Sequence, residues 1–143
     1  MPDMIGPERI TMPLPPVPES WLPLLEEPVL GMLATINSKG GPEVNPVWFL
    51  WHEGQLLLSV KGDTRKYRNM RINPDVALCI PDPASPRSYL ELRGTVVDLK
   101  LYTDLSFVNL LARKYTNADF TEEGPGGVER YRVTIRVDRW TGQ

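Results

Sequence analysis

Five cationic side chains lie within eleven residues near the middle of the chain: Lys61, Arg65, Lys66, Arg68 and Arg71. They straddle the end of a predicted strand and the start of a predicted helix. A helix N-terminus offers unpaired backbone N–H groups and the positive end of the helix dipole, and nearby Lys and Arg add charge-assisted hydrogen bonds. The pattern therefore favours a phosphate-binding site. A solvated basic helix face is the equally weighted alternative.

A second candidate is the aromatic, proline-containing segment Val44–Trp51. Pro46 cannot donate a hydrogen bond within a central ladder, so we expect an edge strand or a bulge there. An irregular strand of this kind presents backbone N–H and C=O groups to a planar heterocycle, which Trp48 is able to cover. The alternative is that Trp48, Phe49 and Trp51 pack in the core or in a dimer interface.

The residues most used in hydrolysis are scarce. His52 is the only histidine and Cys79 the only cysteine, so neither an internal disulfide nor a Cys/His zinc site can be assembled. His52 is expected to be a solvated turn residue and Cys79 a buried, inert thiol. There is no Gly-x-Gly-x-x-Gly after a strand and no Walker loop. If the chain is an enzyme, a cofactor is expected to supply the chemistry.

The elements that position these residues belong to one domain, because the chain has 143 residues. A proline-rich arm is predicted over residues 1–19 and a folded domain over 20–143, with a flexible loop at Glu122–Gly127. Sixteen Lys and Arg against 18 Asp and Glu give a net charge of −2, which argues against a surface built for nucleic acid or membrane. Neither a signal peptide nor an apolar run of spanning length is present, so a soluble, cytoplasmic protein is expected.

Within the folded domain, short strands alternate with short helices. We expect helices capped by Ser20, by Asp63 or Thr64, and by Thr103. Apolar runs between turn residues predict six strands, at residues 30–36, 43–51, 55–60, 76–80, 89–99 and 131–137. The first three are expected to form a meander, and Gly94 to mark a bulge or bend. The prediction is a mainly β fold with short helices, a six-stranded antiparallel barrel that leaves few free edges.

Several ordered motifs resemble the pyridoxamine 5′-phosphate oxidase-like family of split β-barrel flavoproteins. They are Gly31–Thr35, Asn45–Phe49 and Lys66–Leu78, the last similar to Lys-x-Arg-Asn-Leu-x-x-(Asp/Asn)-Pro-x-Val-Ala-Leu. Asp82–Tyr89 and Glu91–Val96 look like the subgroup that uses the deazaflavin coenzyme F420. The resemblance covers residues 20–137 and implies a homodimeric split β-barrel with two cofactor sites at the subunit interface.

The resemblance also implies which residues hold the cofactor. Its phosphate and tail would be bound by Lys61, Arg65, Lys66 and Asn69. Its ring would lie against the strand carrying Asn45, Pro46, Val47 and Trp48, with Ser59 and Val60 alongside. Ile80, Pro81 and Tyr89 would line the same cleft, some of them from the other subunit. Such proteins need no dedicated acid or base, because hydride moves directly between cofactor and substrate.

The implied function is transfer of hydride from reduced F420 to an apolar unsaturated or quinone-type small molecule. F420 is favoured over FMN because Leu56–Lys61 lacks the Arg-x-x-x-Leu-Lys pattern of FMN oxidases, and because five cations suit a long anionic tail. Ile72 and Asn73 depart from the Arg-Asp of many relatives, which removes one possible tail contact.

Three alternatives stay open at this point. They are an FMN-dependent enzyme of the same family, a non-catalytic carrier of F420, FMN or haem, and a nucleic-acid-binding barrel. The last would use the arginines of the final strand, and it is the least favoured because few aromatic residues lie beside them. Those arginines are Arg130, Arg132, Arg136 and Arg139.

Overall fold

The computed structural model describes residues 16–120 and 128–143. After a 3-10 turn at Glu19–Trp21 come three helices, α1 (Leu22–Glu26), α2 (Arg65–Ile72) and α3 (Ser106–Thr116). The strands are β1 (Gly31–Ile36), β2 (Pro42–Val47), β3 (Leu50–His52), β4 (Gln55–Lys61), β5 (Asp75–Pro81), β6 (Tyr89–Tyr102) and β7 (Arg130–Gly142). No helix in these two ranges is long and apolar enough to span a membrane. Most of the predicted arm and the predicted loop at Glu122–Gly127 lie outside the described residues.

The strands form one antiparallel sheet in the order β2-β1-β5-β6-β7-β4-β3. β2 and β3 stand at opposite ends of this order, yet only Trp48 and Phe49 separate them in the chain. Three peptide steps reach about 10 Å at most. The sheet must therefore curl until its two edges nearly meet, which is the geometry of a split barrel and confirms the predicted fold class.

Two details of the prediction were wrong. The strand predicted at 43–51 is interrupted at Trp48 and Phe49, so the described residues hold seven strands rather than six. The first three predicted strands also do not form a meander, because β1 pairs with β2 at one end of the sheet while β3 pairs with β4 at the other end. Local alternation cannot reveal either point, because the chain leaves one sheet edge and joins the other where the barrel closes. Pro46 does lie on an edge strand, as predicted.

The barrel core is built from the inward faces of the strands. In β4, Leu56, Leu58 and Val60 are buried while Ser59 and Lys61 point to the opposite face. Phe49, in the break between β2 and β3, is fully buried and closes the core at the seam. Burial of these apolar side chains supplies the main driving force for closure.

Two helix starts differ from prediction. Thr64 does cap α2, since its Oγ1 accepts a hydrogen bond from the backbone N–H of Tyr67. Ser20 lies inside the 3-10 turn and caps nothing through its side chain. Before α3 the side chain of Asp104, rather than Thr103, accepts a hydrogen bond from the Ser106 N–H at 2.8 Å.

Gly94 lies at a register shift in β6, as predicted. A Cβ at this position would overlap the backbone carbonyl of Arg136 and approach Cγ2 of Ile135 to 2.7 Å. The close approach of β7 therefore requires glycine. Gly94 thus allows the 14-residue strand β6 to bend around the barrel.

Candidate cofactor-binding cleft

A cleft of about 390 Å³ lies between the end of β2, the outward face of β4 and β7, and α3. Five of the predicted site residues line it, namely Pro46, Val47, Trp48, Ser59 and Lys66. The other lining residues are Leu30, Val108, Leu111, Phe120 and Arg130. The structure therefore brings the two segments singled out in the sequence, the aromatic strand and the basic helix, to one cavity.

Trp48 forms the aromatic wall of the cleft because the strand ends just before it. Its ring stacks on that of Tyr115 with centroids 5.1 Å apart and an interplanar angle of 2°. Phe120 lies against it at 6.3 Å. The break between β2 and β3 thus turns Trp48 toward α3 while Phe49 enters the core.

Tyr115 holds this wall in a fixed orientation. Its hydroxyl donates to the carbonyl of Val29 at 2.8 Å and accepts from the N–H of Phe49 at 3.2 Å. Burial raises the pKa of Tyr115 to about 12, with the Phe49 N–H opposing this shift. The phenol is therefore neutral at physiological pH, and both of its hydrogen-bonding roles are satisfied within the chain.

Lys114 fastens α3 to the barrel next to this wall. Its ammonium donates to the carbonyls of Leu25 at 2.9 Å and Phe49 at 2.8 Å, and lies 3.9 Å from the centroid of the Phe49 ring. Burial lowers the pKa of Lys114 to about 8, and the charge of Glu26 opposes the shift. Lys114 therefore links α3 to α1 and to the break between β2 and β3.

Lys66 supplies a cation on the opposite side of the cleft. It lies in the first turn of α2 and is half-buried, and its Nζ donates to Oδ1 of Asn45 at 3.2 Å. Burial lowers the pKa of Lys66. In the described part of the chain it forms no salt bridge, so a desolvated cation faces the cleft with a neutral amide as its partner.

Two other predicted phosphate ligands are engaged within the chain. The amide of Asn69 is buried and donates to Oγ1 of Thr35 at 3.0 Å and to a carboxylate oxygen of Glu43 at 2.9 Å. Arg65 pairs with the other carboxylate oxygen of Glu43 at 3.2 Å. Hydrogen bonds from Asn37 and Asn69, together with the Arg65 charge, lower the pKa of Glu43. This network ties α2 to the β1–β2 hairpin and thereby positions Lys66.

The remaining predicted residues lie elsewhere. Val60 and Ile80 are buried and point into the barrel core, so their side chains cannot contact a ligand in the cleft. Side chains alternate along β4, so Val60 faces the core because its neighbour Ser59 faces the cleft. Pro81 and Tyr89 oppose each other on β5 and β6 and do not line this cleft. Their role across a dimer stays a prediction.

Neither His52 nor Cys79 lines the cleft. His52 ends β3 and is exposed, as predicted. Cys79 is half-buried rather than fully buried, and burial with the nearby Glu91 charge raises its pKa. A thiol with a raised pKa is a poor nucleophile, which agrees with the prediction that it is inert.

The contribution of α3 and of Arg130 to the cleft was not predicted from the sequence. A helix was predicted after Thr103, but its sequence could not indicate that the buried side chains of Val108 and Leu111 would also form a cleft wall. Phe120 follows the helix and Arg130 starts β7, where no local pattern links them to Trp48.

Comparison with known proteins agrees with this geometry. A family model described as pyridoxamine 5′-phosphate oxidase matches residues 17–142. The solved structure of an F420 reductase is 35% identical with a TM-score of 0.80, over 87% of this chain and 98% of that chain. No curated protein sequence matches significantly.

Two more distant structures show the fold alone. A putative pyridoxamine 5′-phosphate oxidase from Listeria innocua is 21% identical with a TM-score of 0.61, over 87% of this chain and 95% of that chain. A conserved hypothetical protein from Mycobacterium tuberculosis is 19% identical with a TM-score of 0.66, over 88% and 84%. The chain therefore belongs to the pyridoxamine 5′-phosphate oxidase family, whose members bind FMN or F420.

Proposed function

We propose that this protein is an oxidoreductase that transfers hydride from reduced coenzyme F420 to an apolar unsaturated or quinone-type small molecule. The observation that carries the proposal is the cleft itself, in which an aromatic wall faces the half-buried amine of Lys66. The likeness to an F420 reductase at 35% identity favours F420 over FMN. When bound, the deazaflavin supplies the hydride, which no side chain of the chain can do.

The residues present fit a cofactor of this kind. A cavity of about 390 Å³ falls within the range of roughly 300–1,000 Å³ typical of small-molecule sites. Among the described residues that line it there are two cations, Lys66 and Arg130, and no carboxylate. A planar ring would pack on Trp48, and an anionic group would satisfy the Lys66 ammonium better than Asn45 does.

Each part of the cleft then has a role in the reaction. Trp48, held by Tyr115, orients the reacting rings. Val108 and Leu111 make the wall apolar and exclude water, which protects the hydride from side reactions. Because the bound cofactor would supply the hydride, the main contribution of the protein would be to hold cofactor and acceptor in reactive geometry. The pinned phenol of Tyr115 is committed to Val29 and Phe49 and transfers no proton.

An FMN-dependent enzyme is the second candidate, since the phosphate of FMN would suit the same Lys66 and Arg130. A carrier of F420, FMN or haem would use the cleft without turnover. We retain the predictions of a homodimer and of a cytoplasmic location for all of these candidates. Binding of nucleic acid is not favoured, because Arg136 is already paired with Asp138, with its Nε 2.6 Å from Oδ1 of the carboxylate.

The test is a titration of the purified protein with F420 and separately with FMN, following tryptophan fluorescence. Trp48 lines the cleft, whereas Trp21, Trp51 and Trp140 pack against the barrel core. We therefore expect F420 to quench the tryptophan fluorescence of the wild type, and to quench that of Trp48→Phe much less. The two proteins are compared at equal occupancy, which is measured by equilibrium dialysis. Tighter binding of FMN would show that FMN, and not F420, is the cofactor. Absence of binding by both would overturn the proposal.

Turnover separates the enzyme from the carrier. Reduced F420 mixed with a panel of quinones and conjugated enones should be oxidised only in the presence of protein, as followed by the absorbance of oxidised F420. Tight binding without oxidation by any acceptor would favour the carrier.

A further inference from the structure

The outward face of the sheet beside the cleft carries an unusual concentration of positive charge. In the β4–β7 ladder Lys61 is opposite Arg130 and Ser59 is opposite Arg132. In the β6–β7 ladder Lys100 is opposite Arg132. Directly opposed residues of antiparallel strands point to the same face. Four cations therefore share one surface of three adjacent strands, although the chain as a whole has a net charge of −2.

This surface, the β4–β7–β6 cationic face, is poorly neutralised within the described residues. Asp98 is the one carboxylate that approaches it, with Oδ2 3.8 Å from a terminal nitrogen of Arg132. Like charges placed opposite one another destabilise a sheet. The repulsion between these neighbouring cations destabilises the folded chain, and an anionic ligand bound between them would remove that repulsion.

A second observation points to the same place. In the part of the chain that the structure describes, Nε of Arg132 is the buried side-chain polar atom that has no hydrogen-bond partner. Buried donors are nearly always paired, so an orphan of this kind calls for an acceptor. Beside it, the hydroxyls of Ser59 and Tyr102 share a hydrogen bond of 2.5 Å across β7.

The cationic face is continuous with the cleft. Ser59 and Arg130 line the cleft, and Arg132 lies two residues further along the same face of β7. A ligand seated against Trp48 could therefore extend an anionic arm over Arg130 and Arg132. Arg offers the planar donor fork that carboxylate and phosphate oxygens accept best.

We propose that Lys61, Lys100, Arg130 and Arg132 form an anion-binding extension of the cleft that takes the acidic tail of the cofactor. The proposal rests on the proposed function and adds residues of β6 and β7 to the site. It also gives Arg130 and Arg132 a role other than the binding of nucleic acid. Arg136 and Arg139, further along β7, take no part.

The test compares deazaflavins that differ only in their anionic arm. The probes are the deazaflavin riboside without phosphate, F420 with a single glutamate, and F420 with a long glutamate tail. The variants are Arg130→Gln and Arg132→Gln, and the matched control is Arg139→Gln, an exposed arginine of the same strand. Thermal melting verifies that each variant is folded.

We expect each of the two variants to bind long-tailed F420 about tenfold more weakly than the wild type, as loss of one charge-assisted contact implies. Binding of the riboside to Arg132→Gln should be unchanged, because Arg132 is not among the residues that line the cleft. For both variants, the salt dependence of the affinity for long-tailed F420 should become shallower. If the variants lose affinity equally for F420 with one glutamate and F420 with many, the arginines bind the phosphate, and the proposal of a tail site is wrong. Wild-type affinity of both variants for every probe would overturn the proposal.

Failure of the proposed function can be told apart from failure of this inference. If the wild type binds none of the deazaflavins, inorganic tripolyphosphate becomes the probe, and its effect on thermal melting is the readout. Stabilisation of the wild type and of Arg139→Gln, but not of Arg132→Gln, would support an anion site that serves another ligand. Equal response of all three proteins would overturn the site itself.

Discussion

Replacing Lys66 with Met should separate cofactor affinity from stability. The Lys66 amine is half-buried in the cleft, and its one side-chain partner among the described residues is the neutral amide of Asn45 at 3.2 Å. A hydrogen bond to a charged group is worth about 1.5–3 kcal/mol. At about 1.4 kcal/mol for each factor of ten, Lys66→Met should weaken F420 binding by roughly tenfold to a hundredfold.

The same change should not destabilise the protein. Burial lowers the pKa of Lys66, which means that the fold holds the charged amine at a cost in desolvation. Met keeps the length and apolar stem of the side chain without that cost. We therefore expect an unchanged or higher melting temperature, the pattern found where a binding site is maintained at the expense of stability.

The assay is fluorescence titration with F420 beside thermal melting without ligand, using Lys39→Met as the control. Lys39 is exposed in the β1–β2 turn, away from the cleft, so this control should bind F420 with wild-type affinity. Wild-type affinity of Lys66→Met in a folded protein would refute the reasoning, because the anion would then lie elsewhere. A lower melting temperature would show that the amine stabilises the fold.

Three further predictions concern the scaffold. Asn69→Ala should lower the free energy of unfolding by about 1–3 kcal/mol in a denaturant titration, since it removes the donor to the buried Thr35 hydroxyl and to one carboxylate oxygen of Glu43. Gly94→Ala should cost about 1–3 kcal/mol or more in the same assay, because the new methyl group meets the backbone of Arg136; equal stability would mean that β7 can retreat. The lowered pKa of Lys114, about 8, means that the folded state releases this proton before the unfolded state does. Stability should therefore rise from about pH 8 toward pH 10.5 relative to Lys114→Met, and a constant difference in melting temperature would contradict this.

Much of the fold was predictable because its signals are local. Alternation and turn residues placed β1, β4, β5 and most of β7 within a few residues of their observed bounds. An N-cap was predicted at Asp63 or Thr64, because a side-chain oxygen before a helix satisfies a free N–H group of the first turn, and Thr64 is the residue that does so.

The break at Trp48 and Phe49 could not be predicted in this way. It arises because the chain passes from one edge of the sheet to the other, and this depends on closure of the whole barrel. Residue type alone also could not show which polar groups were already engaged. Asn69 and Arg65 have the chemistry of phosphate ligands, but the fold commits both to Glu43.

By itself, the sequence determined the chemical character of the site: a run of cations at a helix start, an aromatic residue after an edge strand, and only one histidine and one cysteine in the chain. These follow from residue type and short spacing. Only the tertiary structure decided that α3 completes the cleft, that Lys66 faces it without an acidic partner in the described chain, and that Arg130 and Arg132 join Lys61 on one face. Such contacts depend on strand register and burial, which bring together residues far apart in the chain.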